Sequence, residues 1–209
     1  EPVMDTAPTL NCGSVFVDWK SGMILVGTGE INSSRSSYAG IGLLQSFDKG
    51  KTWKNIGLTD SHHISKILVN PKNSQEIVVG VAGHLYTKNK ERGVFKTTDG
   101  GKSWQQVLFV NDETGVIDMA VAESNFTVMY ASAWQKDRKA HNFNGNGKAS
   151  GIYKSTDAGL TWQLISTPES GFPSDEFVGR IGLSAFTSDI IYAVMDNQKM
   201  RPSAKKEKD

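Results

Sequence analysis

Apolar residues in this chain occur in short runs that are rich in β-branched side chains and separated by turn residues. Ile77–Val81, for example, follows the turn Asn70-Pro71-Lys72-Asn73. Runs of this length and composition, bounded by turn residues, predict β-strands, and no window shows a convincing helical period. The runs come in pairs. The predicted first strands are 14–17, 64–69, 116–121 and 180–184, and the predicted second strands are 23–27, 77–81, 128–132 and 190–194.

A recurrent cassette, Ser/Thr-x-Asp-x-Gly-x-Thr/Ser-Trp, follows the first three strand pairs. Its aspartates are Asp48, Asp99 and Asp157, about 50 to 60 residues apart. An Asp can accept hydrogen bonds from backbone N–H groups a few residues on, and Gly tolerates positive φ, so each cassette predicts a tight hairpin. The Trp is expected to lock that hairpin against the rest of its sheet. The structural positions are Ser46, Asp48, Gly50, Trp53, Thr97, Asp99, Gly101, Trp104, Ser155, Asp157, Gly159 and Trp162.

Two strands plus the two arms of a cassette hairpin make a four-stranded antiparallel unit, which is typical of a β-propeller blade. The predicted fold class is therefore all-β, with a partial propeller over residues 1–198 and a charged linker or disordered tail over 199–209. Propellers close with about 4 to 8 blades. We expect the missing blades to come from a longer polypeptide or a second chain. The predicted blades are 10–58, 59–111, 112–168 and a partial blade at 175–198.

These cassettes resemble those of the Asp-box (bacterial neuraminidase repeat) propellers, in particular the sortilin-type propellers of large exported bacterial proteins. The resemblance covers nearly the whole chain and also rests on 26–30, 63–67, 83–86, 91–95 and 133–135. It implies a ring of many blades and a periplasmic, cell-surface or secreted location. Sialidases and some endoglucanases carry the same boxes, so the resemblance is also glycosyl hydrolase-like. The box itself is shared by enzymes and non-enzymes, so it does not imply an activity.

Charge and composition limit the classes of partner that the protein is expected to bind. The 23 Lys and Arg residues nearly balance the 22 Asp and Glu residues, so no broad cationic field favours nucleic acid. No apolar run approaches the roughly 20 residues of a membrane span. The single Cys12 cannot form an internal disulfide, and no cofactor is expected.

Polar loops that follow the second strands carry the candidate chemistry, because propeller ligands collect where such loops surround the central channel. Their carboxylates, cations and aromatic rings suit a peptide or a glycan, and the alternative is that the loops are merely solvated. Trp134 is either a sugar-stacking platform or a lid on the channel. The predicted ligand-binding residues are Glu30, Arg35, His84, Arg92, Trp134 and Arg138.

A glycoside hydrolase would need two carboxylates facing each other, about 5–5.5 Å apart for retention or 6.5–9.5 Å for inversion. Glu30 and Asp137 are the candidates, with Asp118 as a third that points into the channel. The five arginines lie on different loops, which argues against a sialidase. Adjacent His62 and His63 would point to opposite faces of a strand, and no zinc spacing is present, so no metal is expected.

The pattern favours a non-catalytic protein- or glycan-binding propeller segment of an exported or cell-surface protein. The alternative is a glycoside hydrolase of the Asp-box type, whose active site lies on the loop face and is completed by missing blades. A purely architectural array of blades is a third possibility. The sequence leaves open whether the chain is an enzyme, and it favours a non-catalytic role.

Overall fold

A computed structural model describes residues 2–123 and 125–200, and within them it contains antiparallel sheets and two short 3-10 helices. The predicted all-β fold class, an incomplete propeller, is confirmed. The helices are Thr59–Ser61 and Pro168–Ser170. The end of the predicted tail, 201–209, lies outside the described residues.

Three sheets of four strands follow one another along the chain, each in simple neighbouring order, and a two-stranded sheet follows them. The first sheet contains β1 (Cys12–Asp18), β2 (Met23–Thr28), β3 (Leu43–Ser46) and β4 (Lys54–Asn55). The second contains β5 (Ile64–Asn70), β6 (Asn73–Val81), β7 (Gly93–Thr97) and β8 (Gln105–Leu108). Each sheet is one blade.

The third blade contains β9 (Thr114–Ala122), β10 (Asn125–Gln135), β13 (Gly151–Ser155) and β14 (Gln163–Leu164). Between β10 and β13, its long loop forms a small hairpin of β11 (Asp137–Arg138) and β12 (Phe143–Asn144). The fourth blade has two described strands, β15 (Val178–Ala185) and β16 (Ile191–Asn197). Every sheet lies inside one of the predicted blade ranges.

The second strands are longer than their apolar cores predict. β6 begins at Asn73 rather than Ile77, and β10 reaches from Asn125 to Gln135. The residues added to β6 alternate between exposed and half-buried positions and contribute little apolar signal, and Asn73 pairs with Asn70 of β5.

The hydrophobic core lies between blades. One cluster joins Leu25 of the first blade to Ile77 of the second, a second joins Val78 to Met129, and a third joins Tyr130 to Ile181. Glycine allows this close approach, because a Cβ at position 27 would lie 2.4 Å from Cγ2 of Ile64.

The innermost strands are also tied to each other across blades. Ser65 Oγ donates to the carbonyl oxygen of Val116 at 2.6 Å, and Ser132 Oγ donates to the carbonyl oxygen of Ile181 at 2.8 Å. Each bond links one blade to the next at the hub. The first strands consequently surround a common channel.

The cassette hairpins form through a repeated set of hydrogen bonds. In the second blade, Asp99 Oδ1 accepts from the backbone N–H groups of Lys102 and Ser103 at 2.9 and 3.0 Å, while Ser103 Oγ donates to Asp99 Oδ2 at 2.6 Å. Thr97 Oγ1 donates to Asp99 and accepts from the N–H of Gly101, whose φ is +89°. The hydrogen bonds from Ser103 and Thr97 hold the pKa of Asp99 far below its usual value. The aspartate is thus an anion that organises the turn.

Two of the three cassette tryptophans, Trp104 and Trp162, pack in clusters shared by neighbouring blades. Trp104 Nε1 donates to the carbonyl oxygen of Ile56 in the preceding blade at 2.7 Å, and the ring packs on the cluster shared by the first two blades. Trp162 joins the cluster between the second and third blades. The expectation that the Trp locks its own sheet was therefore incomplete, because the space for a large ring lies between sheets.

Candidate functional site

Three loops from three blades converge on one face of the segment, which we call the loop face. They are residues 29–42, 82–92 and 136–150, each following a second strand. Arg138 Nε donates to the carbonyl oxygen of Ser33 at 2.9 Å, and Tyr86 Oη donates to that of Arg35 at 2.6 Å. These bonds join the third and second loops to the first. The predicted candidates Glu30, Arg35, His84, Arg92, Trp134 and Arg138 all lie in these loops or at the end of β10.

Arg92 is 2% exposed, and its guanidinium donates hydrogen bonds to other groups of the protein. Nε donates to Asn89 Oδ1 at 2.7 Å, Nη1 to the Glu113 carbonyl at 3.1 Å, and Nη2 to the His84 and Thr87 carbonyls at 3.0 and 2.8 Å. Burial lowers the pKa of Arg92 to about 10, and nearby carboxylates oppose that shift. We correct the expectation that Arg92 contacts a ligand: its donors shape the second loop.

Trp134 is 5% exposed, so neither face of its ring is available to stack on a sugar. Its Nε1 donates to the carbonyl oxygen of Gly145 at 2.7 Å. The ring packs with Ile117 and Ile31, and Phe143 meets it edge-on at 5.9 Å. The sugar-platform interpretation is therefore corrected. Trp134 and Ile31 cover the channel from the loop side.

The histidines form a packed group at the edge of the loop face. His62 stacks on His84 with ring centroids 3.7 Å apart, and His84 Nε2 lies 2.8 Å from the carbonyl oxygen of Asp60. His63 is 3% exposed, its Nδ1 has no hydrogen-bond partner among the described residues, and burial followed by the charge of Lys136 lowers its pKa to about 4.

The predicted geometry of His62 and His63 was wrong, since both precede β5 and His62 has φ +57°. A backbone turn, rather than strand alternation, separates their rings. In the part of the chain that the structure describes, no three His, Cys, Asp or Glu side chains are grouped so as to hold a metal ion.

The three candidate carboxylates occupy different surroundings. Asp118 accepts from the backbone N–H of Leu183 at 2.9 Å and lies 3.1 Å from Lys66 Nζ. Glu30 Oε2 accepts from the N–H of Tyr38 in its own loop at 3.4 Å. Asp137 is half exposed and pairs with Lys139 at 3.1 Å. Each carboxylate therefore has its own local partner.

Asp118 belongs to a cavity of about 290 Å³ in the central channel, as its position on a first strand predicts. All four innermost strands contribute to the walls, and the polar lining residues are Ser14, Ser65, Lys66, Asp118 and Arg180. Ile31 closes the cavity toward the loop face. The Arg180 guanidinium lies 5.7 Å from the centre of the Trp134 ring.

A second cavity, of about 150 Å³, lies between the second and third loops and was not predicted. Lys136 lines it, is 6% exposed, and has a pKa lowered to about 7 by burial and by the positive charges of Arg92 and Arg138. Strand alternation gave no signal for this burial, because Lys136 lies one position beyond β10, whose last residues are buried in succession rather than alternately. We call this space the Lys136 cavity; it is lined by Tyr86, Lys88, Arg92, Glu113, Lys136, Asp137 and Arg138, among others.

No helix in the described residues is both long and apolar enough to cross a bilayer. Residues 42–207 match the family model named Sortilin-Vps10, described as sortilin, neurotensin receptor 3. Among curated proteins, none matches the sequence.

Solved structures share the fold. An ancestral GH74 enzyme matches 90% of this chain at 25% identity with a TM-score of 0.59, and a GH74 enzyme from Niastella koreensis matches 88% at 17% identity with a TM-score of 0.58. The chain spans 22% and 28% of these two proteins. It is thus similar to a minor portion of much larger molecules.

Proposed function

We propose that this chain, which belongs to the Sortilin-Vps10 family of β-propellers, is a non-catalytic segment of an extracytoplasmic protein and binds a peptide or glycan on its loop face. The observation that carries the proposal is the joining of three loops by hydrogen bonds across blades, notably Arg138 to Ser33. A surface held in place before binding loses less conformational entropy when a ligand docks.

The exposed side chains of this face suit recognition. Tyr38 is 65% exposed, Tyr86 49% and Phe143 37%, and Arg35 is exposed beside them. Aromatic residues and arginine are the types that contribute most to binding energy at interfaces. Arg138 adds a guanidinium that stacks on Phe143 at 3.8 Å. These residues, with Glu30 and His84, are the proposed ligand contacts.

Local pairing of the candidate carboxylates favours binding over hydrolysis. Asp118 is anchored in the channel behind Ile31, and Asp137 is paired to Lys139 on the surface. Hydrolysis of a glycosidic bond needs one protonated and one ionised carboxyl group flanking the same bond. Asp118 lines the channel cavity and Asp137 lines the Lys136 cavity, so these two carboxylates do not share one cavity.

A glycoside hydrolase is the second candidate, and the similarity to the ancestral GH74 enzyme favours it. Under that alternative, blades outside this chain complete an active site on the loop face. Under either function, we propose that the partner of the open blade is the remaining propeller, in the same polypeptide or in a second chain. On β16, Tyr192 is 65% exposed and Val194 is 79% exposed, and the remaining propeller would bury these side chains.

The test screens the full chain against glycan and peptide libraries and then measures affinity for the best ligand. Tyr86→Ala removes a ring and a bond to the first loop, and we expect at least about tenfold weaker binding. Trp19→Ala, which removes a 90% exposed ring from the turn between β1 and β2, is the matched control and should bind normally. Equal affinity of both variants would contradict a loop-face site. Sugar release by the wild type that Glu30→Gln or Asp137→Asn abolishes would establish the hydrolase instead.

A further inference from the structure

Lys136 is a buried cation without a counter-charge. Its side chain is 94% shielded from solvent, and neither a hydrogen bond nor an ion pair links its ammonium to any residue in 2–123 or 125–200. The neighbours that influence its charge are Arg92 and Arg138, both positive. Buried charges in folded proteins are ordinarily paired. The Lys136 ammonium lies 6.0 Å from the centre of the Trp134 ring, and no acidic side chain of the described residues forms an ion pair with it.

Charged groups face the Lys136 cavity from every element packed around it. The second loop supplies Lys88 and Arg92, and the third loop supplies Asp137 and Arg138. Glu113, which precedes β9, forms an ion pair with Lys88 Nζ at 2.6 Å and accepts a hydrogen bond from Gln135 Nε2 at 3.2 Å. Asp137 is occupied by Lys139.

Both acidic groups at the cavity are therefore engaged elsewhere. His63, on the other side of Lys136, is buried, and the charge of Lys136 opposes its protonation. The lining carries four cationic and two acidic side chains, so a positive charge is left over.

We propose that the Lys136 cavity is an anion subsite, which takes a carboxylate or sulfate group of a ligand lying on the loop face. The ammonium of Lys136 and the guanidinium of Arg138 form its cationic side. A cavity of about 150 Å³ has room for one such group. The inference rests on the proposed function for the rest of the ligand but not for the anion site itself.

Binding of an anion in this cavity must be coupled to proton uptake. Burial, and after it the charges of Arg92 and Arg138, lower the pKa of Lys136 to about 7. An anion in the cavity favours the charged amine, so the amine binds a proton as the ligand binds. The affinity for an anion is consequently highest below pH 7 and falls as the pH rises above it. A neutral ligand would show no such dependence.

The test uses the full chain labelled with ¹³C at lysine Cε, and the Lys136 resonance is assigned by its loss in Lys136→Met. The resonance is titrated with pH in sodium chloride and in sodium sulfate at equal ionic strength. We expect sulfate to raise the Lys136 midpoint by about one pH unit, a tenfold preference for the charged form. The Lys139 resonance, from an exposed lysine of the same loop, should not move. Equal Lys136 midpoints in the two salts would overturn the proposal.

A second arm identifies the chemical group. Glucuronate and glucose have the same ring and differ in one carboxylate, so a rise of the Lys136 midpoint with glucuronate and not with glucose assigns a carboxylate. A rise with sulfate alone assigns a sulfate group. A rise with glucose equal to that with glucuronate would contradict an anion subsite.

The two proposals fail separately. If Tyr86→Ala weakens ligand binding while sulfate leaves Lys136 unmoved, the loop-face function stands and the anion subsite is wrong. If Tyr86→Ala has no effect while sulfate shifts Lys136, the anion subsite stands and the loop-face function is wrong.

Discussion

Arg138 and Ser33 are separated by 105 positions in the sequence, yet Nε of the first donates a hydrogen bond to the carbonyl oxygen of the second at 2.9 Å. This contact crosses from the third blade to the first. It shows that the long third loop extends over the mouth of the channel rather than into solvent. The loop face is therefore a joint product of blades that are distant in sequence.

Replacing Arg138 with Ala should loosen the first loop. Loss of one charge-assisted hydrogen bond costs about 1.5–3 kcal/mol locally, while the global free energy of unfolding should change less because the core clusters are untouched. Hydrogen exchange should accelerate around Ser33, and ligand affinity should fall. Lys139→Ala, one residue further on and exposed, is the control. Unchanged exchange at Ser33 would show that the contact does not hold the loop.

Replacing Trp104 with Ala should lower the free energy of unfolding by about 3 kcal/mol, the lower end for deletion of a buried aromatic, because the ring is partly exposed. The variant loses the packing between the first two blades and the bond to the Ile56 carbonyl. Denaturant unfolding measures the difference. Trp19→Ala, which deletes a ring that is 90% exposed, should change the value by less than about 0.5 kcal/mol. A loss below about 1 kcal/mol for Trp104 would mean that the ring does not join the blades.

Asp99→Asn should reduce stability without changing ligand affinity. The hydrogen bonds from Ser103 and Thr97 keep the pKa of Asp99 below its usual 3.8, so this carboxylate stabilises the fold above that pH. As the pH falls below 3.8 toward the folded-state value, the advantage of the wild type over the variant should shrink. Urea unfolding of both proteins at pH 7 and pH 3 tests this. Asp137→Asn, on the exposed loop, should cost little at either pH, and normal stability of Asp99→Asn with lost binding would overturn the structural role.

Lys136→Met should stabilise the chain, and the gain should depend on pH. Burial and the two arginines lower the pKa of Lys136 from 10.5 to about 7. Below pH 7 both the folded and the unfolded chain bind the proton, and the cost of the buried charge is then at its full value, at most about 5 kcal/mol. Between pH 7 and 10.5 only the unfolded chain binds the proton, so the cost declines as the pH rises.

Unfolding of the wild type and Lys136→Met at pH 6 and pH 9 should therefore show the larger gain at pH 6. Lys139→Met should show no such trend. A variant that is less stable than the wild type at pH 6 would refute an uncompensated buried charge.

Local chemistry made the blades predictable. An Asp, a Gly and flanking hydroxyls specify a hairpin within eight residues, and strand pairs show as alternating apolar runs, so the cassettes at Asp48, Asp99 and Asp157 were located without coordinates. The long loops that follow the second strands were located as well. The sequence did not show which side chains of these loops stay exposed, because groups from other parts of the chain cover Arg92 and Trp134.

The order of residues thus specifies the repeating unit, its turns and the side on which the long loops emerge, because those features depend on contacts between near neighbours. Other features depend on how the sheets pack against each other. They are the burial of Arg92 and Lys136, the hydrogen bond from Arg138 to Ser33, and the position of Trp104 between two blades. Such contacts join residues far apart in sequence, and their energies exist only once the blades stand side by side.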